Sequence, residues 1–260
     1  MILSGLCSVT FTQHTADDVI SAAASNGLHG IEWHGKTHVP HGNLSCARDV
    51  QRKTEDAGLR VTSYGSYYRA GVSEDNGLSF TDVLETAVAL RAPTVRVWAA
   101  DRDFADATPA FIEHVVADTL RIAEMASQAG LTISFEYHGG SFTNSPESTQ
   151  AFAAAVDHPA IKFYWQAPLG ASHTTCLQSL EPLLPRLSNL HVFHWEKEGD
   201  DGLTRRPLQD GAALWRDYLR LAADTHRDHW ALLEFVRDDS FESLRTDAAA
   251  LNRIIRETAR

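Results

Sequence analysis

Ser127-Gln128-Ala129-Gly130-Leu131-Thr132-Ile133-Ser134-Phe135-Glu136-Tyr137-His138 holds, in twelve residues, the unit that is repeated along the chain. Upstream of it, residues 111–128 carry apolar side chains at three-and-four spacing, the pattern of a helix with one buried face. Gly130 can take the left-handed conformation that closes such a helix, and the apolar run after it reads as a strand. The same junction recurs at Ala24-Ser25-Asn26-Gly27-Leu28, Glu55-Asp56-Ala57-Gly58-Leu59, Leu90-Arg91-Ala92-Pro93-Thr94 and Asp157-His158-Pro159-Ala160-Ile161, where Gly or Pro ends each helix. Eight short strands rich in β-branched and aromatic residues follow from this reading: 2–9, 28–33, 59–64, 94–98, 131–137, 161–166, 190–195 and 230–236. Helical patterns lie between them at 17–25, 80–90, 111–128, 147–156, 214–224 and 241–258, with a weaker one near 176–187 that Pro182 and Pro185 interrupt. Eight βα units of about 32 residues match a closed (β/α)8 barrel. An open doubly wound sheet fits less well, because no Gly-x-Gly-x-x-Gly turn follows any strand.

The punctuation is even from end to end, so residues 1–260 are expected to form a single α/β domain. Acidic residues outnumber basic ones by 34 to 23 for a formal charge of -11, and no basic stripe could track a phosphate backbone. A nucleic-acid partner is therefore not expected. The first basic residue is Lys36, and Ser4 and Gly5 interrupt the opening apolar stretch, so neither a signal peptide nor a membrane span is read and a cytoplasmic location is expected. Cys7, Cys46 and Cys176 are odd in number and far apart, the pattern of reduced thiols rather than of disulfides or a thiolate metal site.

In a barrel of this kind the active site lies at the C-terminal ends of the strands, and alternation selects the inward side chains. By that parity the mouth receives Glu32 and His34, Tyr64 and Ser66, Arg96 and Trp98, Ser134, Glu136 and His138, Tyr164 and Gln166, Val192 and His194, and Glu234. Glu234 sits in Leu232-Leu233-Glu234-Phe235-Val236, where an unpaired charge would be costly to bury, and together with Glu136 it reads as functional. His194 is taken as the inward histidine of its strand because it lies nearer the strand end. His191, on the opposite face, is the alternative. His38 and His41 have no metal-motif spacing on a regular element.

At these residues the chain resembles the sugar phosphate isomerase/epimerase family of xylose isomerase-like TIM barrels, which also includes DNA-repair endonucleases of the endonuclease IV type. The resemblance runs through Leu28-His29-Gly30-Ile31-Glu32-Trp33, Phe135-Glu136-Tyr137-His138, Leu190-His191-Val192-Phe193-His194-Trp195, Arg206-Pro207-Leu208-Gln209-Asp210-Gly211 and Leu233-Glu234-Phe235. It implies a divalent metal, Mn2+, Mg2+ or Zn2+, held by Glu136, His194 and Glu234, with Gln166 standing where the family usually has an aspartate. A neutral amide there lowers the ligand charge and the expected affinity. The implied reaction is isomerisation or epimerisation of a small sugar, ketose or sugar acid through an enediolate, with Glu136 and Glu234 as the acid/base pair. Glu32, His34, Tyr64, Trp98, His138 and Arg206 are the expected substrate contacts. Alternatives are a polyol dehydratase using the same proton abstraction and a non-catalytic sugar-binding barrel. The endonuclease reading is disfavoured by the net charge and by the acidic stretch 196–201. The expected partner is a small carbohydrate, and the helical exterior suits a monomer or a homodimer.

Overall fold

The computed structural model describes residues 1–198 and 202–258. In chain order the strands are β1 Ile2–Cys7, β2 Gly30–His34, β3 Arg60–Ala70, β4 Thr94–Ala99, β5 Thr132–Glu136, β6 Ile161–Trp165, β7 Leu187–Val192, β8 His194–Glu198, β9 Gly202–Arg206 and β10 His229–Leu233. All but β8 and β9 pair in parallel and close into one barrel in the order β1-β10-β7-β6-β5-β4-β3-β2. Eight helices surround it: α1 Ala16–Ser25, α2 Leu44–Asp56, α3 Phe80–Ala89, α4 Pro109–Gln128, α5 Pro146–Ala155, α6 His173–Leu180, α7 Ala212–Ala223 and α8 Phe241–Thr258. The chain is thus the expected (β/α)8 barrel. Among the described residues no helix is long and apolar enough to cross a membrane, and the three cysteines are free.

Local chemistry sets the element ends. Thr108 accepts a hydrogen bond from the Phe111 amide to start α4, and Pro109 occupies its first turn. Its other end closes as expected: Gly130 takes φ +76° and the Leu131 amide donates to the Ala126 carbonyl. The prolines at 182 and 185 cut α6 short and turn Glu181–Arg186 into a 3-10 helix. Helix α2 was not among the expected helices. Its buried stripe consists only of Ala47, Val50, Gln51 and Thr54, a face too polar to show as apolar periodicity.

Three irregularities between neighbouring strands decide which side chains enter the barrel. Between β2 and β3 the register slips after Ile31, so Glu32 pairs with Ser63. Between β3 and β4 it jumps from Gly65–Arg96 to Tyr68–Val97, leaving Ser66 and Tyr67 as extra residues with Tyr67 at φ +58°. Between β6 and β7 it goes from Phe163–Leu187 to Trp165–Leu190. A slip of one residue turns every later side chain to the other face. The acidic stretch read as a loop is in part the β8–β9 hairpin, which pairs His194 with Arg206 and Glu198 with Gly202. Its residues 199–201 lie outside the described residues.

Candidate active site

Five ionisable side chains meet inside the barrel near its C-terminal end: Glu32, Arg96, Glu136, His191 and Glu234, all buried. Arg96 forks between two carboxylates, with Nε donating to Glu32 Oε1 at 2.9 Å and Nη1 to Glu136 Oε2. Ser63 donates to the second oxygen of Glu32 at 2.7 Å, and Trp98 Nε1 donates to Glu136 Oε2 at 2.5 Å. The Glu136 Oε1 atom is left facing His191 Nδ1 at 3.2 Å, and Glu234 Oε2 approaches the same nitrogen at 3.4 Å. On the other side of the ring, Nε2 lies 3.4 Å from Glu32 Oε1.

This packing sets the protonation states. Burial, the largest single influence, would raise both carboxyl groups, but the Arg96 charge and the neighbouring His191 together outweigh it, with Ser63 adding a hydrogen bond to Glu32, bringing Glu32 down to about 2 and Glu136 well below the usual carboxylate range. Burial would likewise push the imidazole of His191 down, yet Cys7, Glu234 and Glu32 around it hold it well above its ordinary value. Burial keeps the neighbouring Cys7 a neutral thiol.

Above this cluster opens a cavity of about 200 Å3 lined by Tyr67, Arg96, Trp98, Glu136, His138, Gln166, Leu169, Phe193, Trp195, Glu234 and Phe235. Drug-sized ligands occupy clefts of roughly 300 to 1,000 Å3, so this one suits a single small ring or a short chain. Its walls are mainly aromatic. The polar groups Glu136, Glu234, Gln166 and Arg96 lie among them, as expected of a site that orients a small polar molecule.

The structure brings together Glu136, Glu234, Gln166, Trp98 and His138 of the residues singled out in the sequence, and moves others elsewhere. His194 is not the inward histidine of its strand. The extra residue in β7 turns Asn189 and His191 inward, and the barrel strand ends at Val192. His194 starts the hairpin instead, with Nε2 3.4 Å from Glu196 and its ring packed on Gly211. Tyr64 also faces outward, because the slip beside Glu32 puts Ser63 and Gly65 on the inner face. Its hydroxyl donates to the Val39 carbonyl and lies 2.7 Å from His41 Nδ1.

Arg206 does not line the cavity, since on β9 it donates to Glu196 Oε2 at 3.0 Å. Glu32 lies beneath the cavity rather than in its wall. His34 accepts from the Thr37 amide and packs against the Tyr67 ring at 4.8 Å, and burial and then Arg96 lower it to about 4. Trp98 has the Arg69 guanidinium 4.2 Å from its ring and His138 4.8 Å away, so it orients Glu136 as well as forming the wall.

Besides His191 and the apolar wall residues Leu169, Phe193, Trp195 and Phe235, Arg96 and Tyr67 were not among the expected site residues. Parity places Arg96 on the inner face, and that was the available signal. Tyr67 was hidden by the two extra residues of β3, which bring its ring to 4.6 Å from the Arg96 guanidinium.

The donor set fits a divalent cation. One ligand atom each from Glu136, His191 and Glu234 lie within 4.8 Å of one another. Neither nitrogen of His191 makes an aligned hydrogen bond, and the buried Gln166 Oε1 in the cavity wall has no partner. Buried polar atoms ordinarily have partners, so these orphaned atoms suit a bound ion. Two carboxylates and an imidazole form a mixed set acceptable to Mn2+, Mg2+ or Zn2+, with the neutral Gln166 Oε1 in the wall of the same cavity.

Comparison with known proteins agrees with this architecture. A curated 3-dehydroshikimate dehydratase of Bacillus anthracis is 23% identical over 95% of both chains. Among solved structures, the probable 3-DHS dehydratase involved in petrobactin synthesis in Bacillus anthracis superposes with a TM-score of 0.79 at 20% identity, over 97% of this chain and 99% of that one. D-allulose 3-epimerase from Methylomonas sp. gives 0.72 at 16% identity over 99% and 98% of the two chains. A xylose isomerase-like barrel from Mycobacterium smegmatis in complex with magnesium gives 0.72 at 15% over the same shares. At such identities the superpositions speak for the fold alone. The family model is more decisive: it matches residues 20–257, and the chain belongs to the xylose isomerase-like TIM barrel family.

Proposed function

We propose that the protein is a divalent-metal-dependent isomerase or epimerase that removes a proton α to a carbonyl in a small, unphosphorylated, polyhydroxylated substrate. The observation that carries this reading is the convergence of Glu136, His191 and Glu234 on one point, with the orphaned Gln166 Oε1 in the wall of the same cavity. These four residues would hold the ion, which supplies Lewis acidity toward adjacent carbonyl and hydroxyl oxygens of the substrate. The aromatic walls formed by Tyr67, Trp195 and Phe235 exclude water and pack on the carbon skeleton. Glu136 and Glu234 present carboxylates from β5 and from the end of β10, so one removes the α proton and the other returns it. Among the described residues Arg96 is the one guanidinium in the cavity wall, and it is already engaged by Glu32 and Glu136. A phosphate ester would find no free guanidinium there.

The curated dehydratase, which spans nearly the whole chain, favours a second reading. The same proton abstraction followed by loss of a β-hydroxyl would make this chain a polyol dehydratase. The test incubates the Mn2+-loaded protein with ketoses, sugar acids and cyclic hydroxy-keto acids in D2O. Exchange at the α carbon with carbon skeleton and hydroxyl count intact is the expected result, and Glu136→Gln or Glu234→Gln should slow it about 100- to 10,000-fold. Release of water with an ultraviolet-absorbing enone or aromatic product would establish the dehydratase. Binding without either reaction would leave a carbohydrate-binding barrel and overturn both enzymatic readings.

A further inference from the structure

Beneath the cavity, a second buried triad shares His191 with the first: Cys7 Sγ, a Glu32 oxygen and a His191 nitrogen lie within 4.8 Å of one another. A second ion is a poor fit there. Glu32 Oε1 already accepts from Arg96 and Oε2 from Ser63, and a further cation would sit against the guanidinium. Some other role must explain a carboxylate placed where no substrate reaches it.

We propose that Glu32 is the positioning residue of the metal site, acting through His191. The ring is two-sided: Nδ1 faces Glu136 and Glu234, and Nε2 faces Glu32. A neutral imidazole that gives its Nδ1 lone pair to an ion carries its proton on Nε2, and Glu32 Oε1 is the carboxylate oxygen within reach of that proton. Histidine ligands are generally held in this way, with a carboxylate or carbonyl on the far nitrogen fixing tautomer and ring angle.

Glu32 is itself rigid. Arg96 and Ser63 clamp its two oxygens, and Gly65 leaves the room this requires, since a Cβ there would lie 2.9 Å from Arg96 Nη2 and 3.1 Å from Glu32 Oε1. The same guanidinium takes Glu136 Oε2 and turns Oε1 toward the ion position. One arginine thus orients a carboxylate ligand directly and the imidazole ligand through Glu32. The proposal builds on the metal-dependent reading above and adds the residue that selects the ligating nitrogen.

The test measures Mn2+ and Zn2+ affinity by calorimetry, and the 15N shifts of His191 in Zn2+-loaded protein, for the parent chain, Glu32→Gln and Ser63→Ala. The parent should bind one ion with Nδ1 shifted by the metal and Nε2 protonated. Glu32→Gln should weaken binding by about 10- to 100-fold and alter the Nε2 shift or mix the tautomers. Ser63→Ala keeps every charge and removes the donor to one Glu32 oxygen along with a contact to the Thr62 hydroxyl. It should give a smaller loss in the same direction, and it serves as the probe if Glu32→Gln does not fold. Unchanged affinity and unchanged nitrogen shifts in the folded variants would reduce Glu32 to a counter-charge for Arg96 and overturn the proposal. A parent chain that binds neither ion would instead overturn the metal-dependent reading on which it rests.

Discussion

Replacing His191 and His194 separately by alanine gives a direct contrast, because the two imidazoles differ in burial and in charge environment. The His191 side chain is 0% exposed and lies within 3.2–3.4 Å of oxygens of Glu32, Glu136 and Glu234. Removing it leaves three buried carboxylates facing the single guanidinium of Arg96, in a chain whose Glu32 and Glu136 resist neutralisation. Breaking a buried charge pair on one side costs about 3–5 kcal/mol. For a barrel of this size each kcal/mol moves the melting temperature by about 2–4 °C, so a drop of roughly 6–20 °C is expected in metal-free buffer.

The His194 side chain is 13% exposed, packs on Gly211 and has the half-exposed Glu196 carboxylate at 3.4 Å. Such pairs contribute about 0–1 kcal/mol, and the corresponding shift stays within about 4 °C. Differential scanning calorimetry in chelator gives the stability contrast, and titration with Mn2+ gives the functional one. His191→Ala should lose measurable binding while His194→Ala keeps the parent's. Retention of parental Mn2+ affinity in His191→Ala, or its loss in His194→Ala, would refute the assignment of the inward histidine.

Two further outcomes follow from the same cluster. Gln166→Asp places a negative charge beside the ion position and should tighten Mn2+ binding on the order of tenfold, about 1.4 kcal/mol, by calorimetry; equal affinity in both proteins would remove Gln166 from the ligand set. Metal-free protein should be acid-labile: Glu32 and Glu136 titrate below the usual carboxylate range, so their stabilising contribution is full above that range and is lost as pH falls toward about 2, which chemical denaturation at stepped pH would record as a falling unfolding free energy.

Helix stops, β-rich runs and their alternation were enough to reveal the barrel, because Gly27, Gly58, Pro93, Gly130 and Pro159 punctuate the first five helix-to-strand junctions at near-even spacing. The inward glutamates were legible for a related reason: β5 and β10 are paired without register slips, so parity counted from their apolar residues holds to their ends. It failed where a slip intervened. Val61-Thr62-Ser63 and Leu187-Ser188-Asn189-Leu190 each contain one residue more than the neighbouring strand, and nothing in a strand buried on both faces marks the addition. Tyr67 was hidden for the same reason, and the hairpin because its strands are charged and lie outside the barrel. Arg96 was visible to parity, but its role depends on Glu32 and Glu136 lying on either side of it, which is a fact of closure and not of local sequence.

Charge balance gives a physical reason for the amide at position 166. In the metal-free cluster Glu32, Glu136 and Glu234 outweigh Arg96 even with His191 protonated, so the site holds an excess of negative charge that favours a cation. A divalent ion bound with a neutral His191 brings the set to neutrality, the Arg96–Glu32 pair cancelling internally. An aspartate in place of Gln166 would leave one negative charge over. In the proposed reaction that surplus would strengthen the hold on the ion, yet it would also repel the negative charge developing on the substrate oxygens as the α proton leaves, and electrostatic stabilisation at that stage is usually the largest catalytic term. Gln166→Asp should therefore separate the two quantities, raising Mn2+ affinity while slowing solvent exchange at saturating ion and substrate. If affinity and exchange rate rise together in the variant, neutrality of the loaded site is not what Gln166 provides.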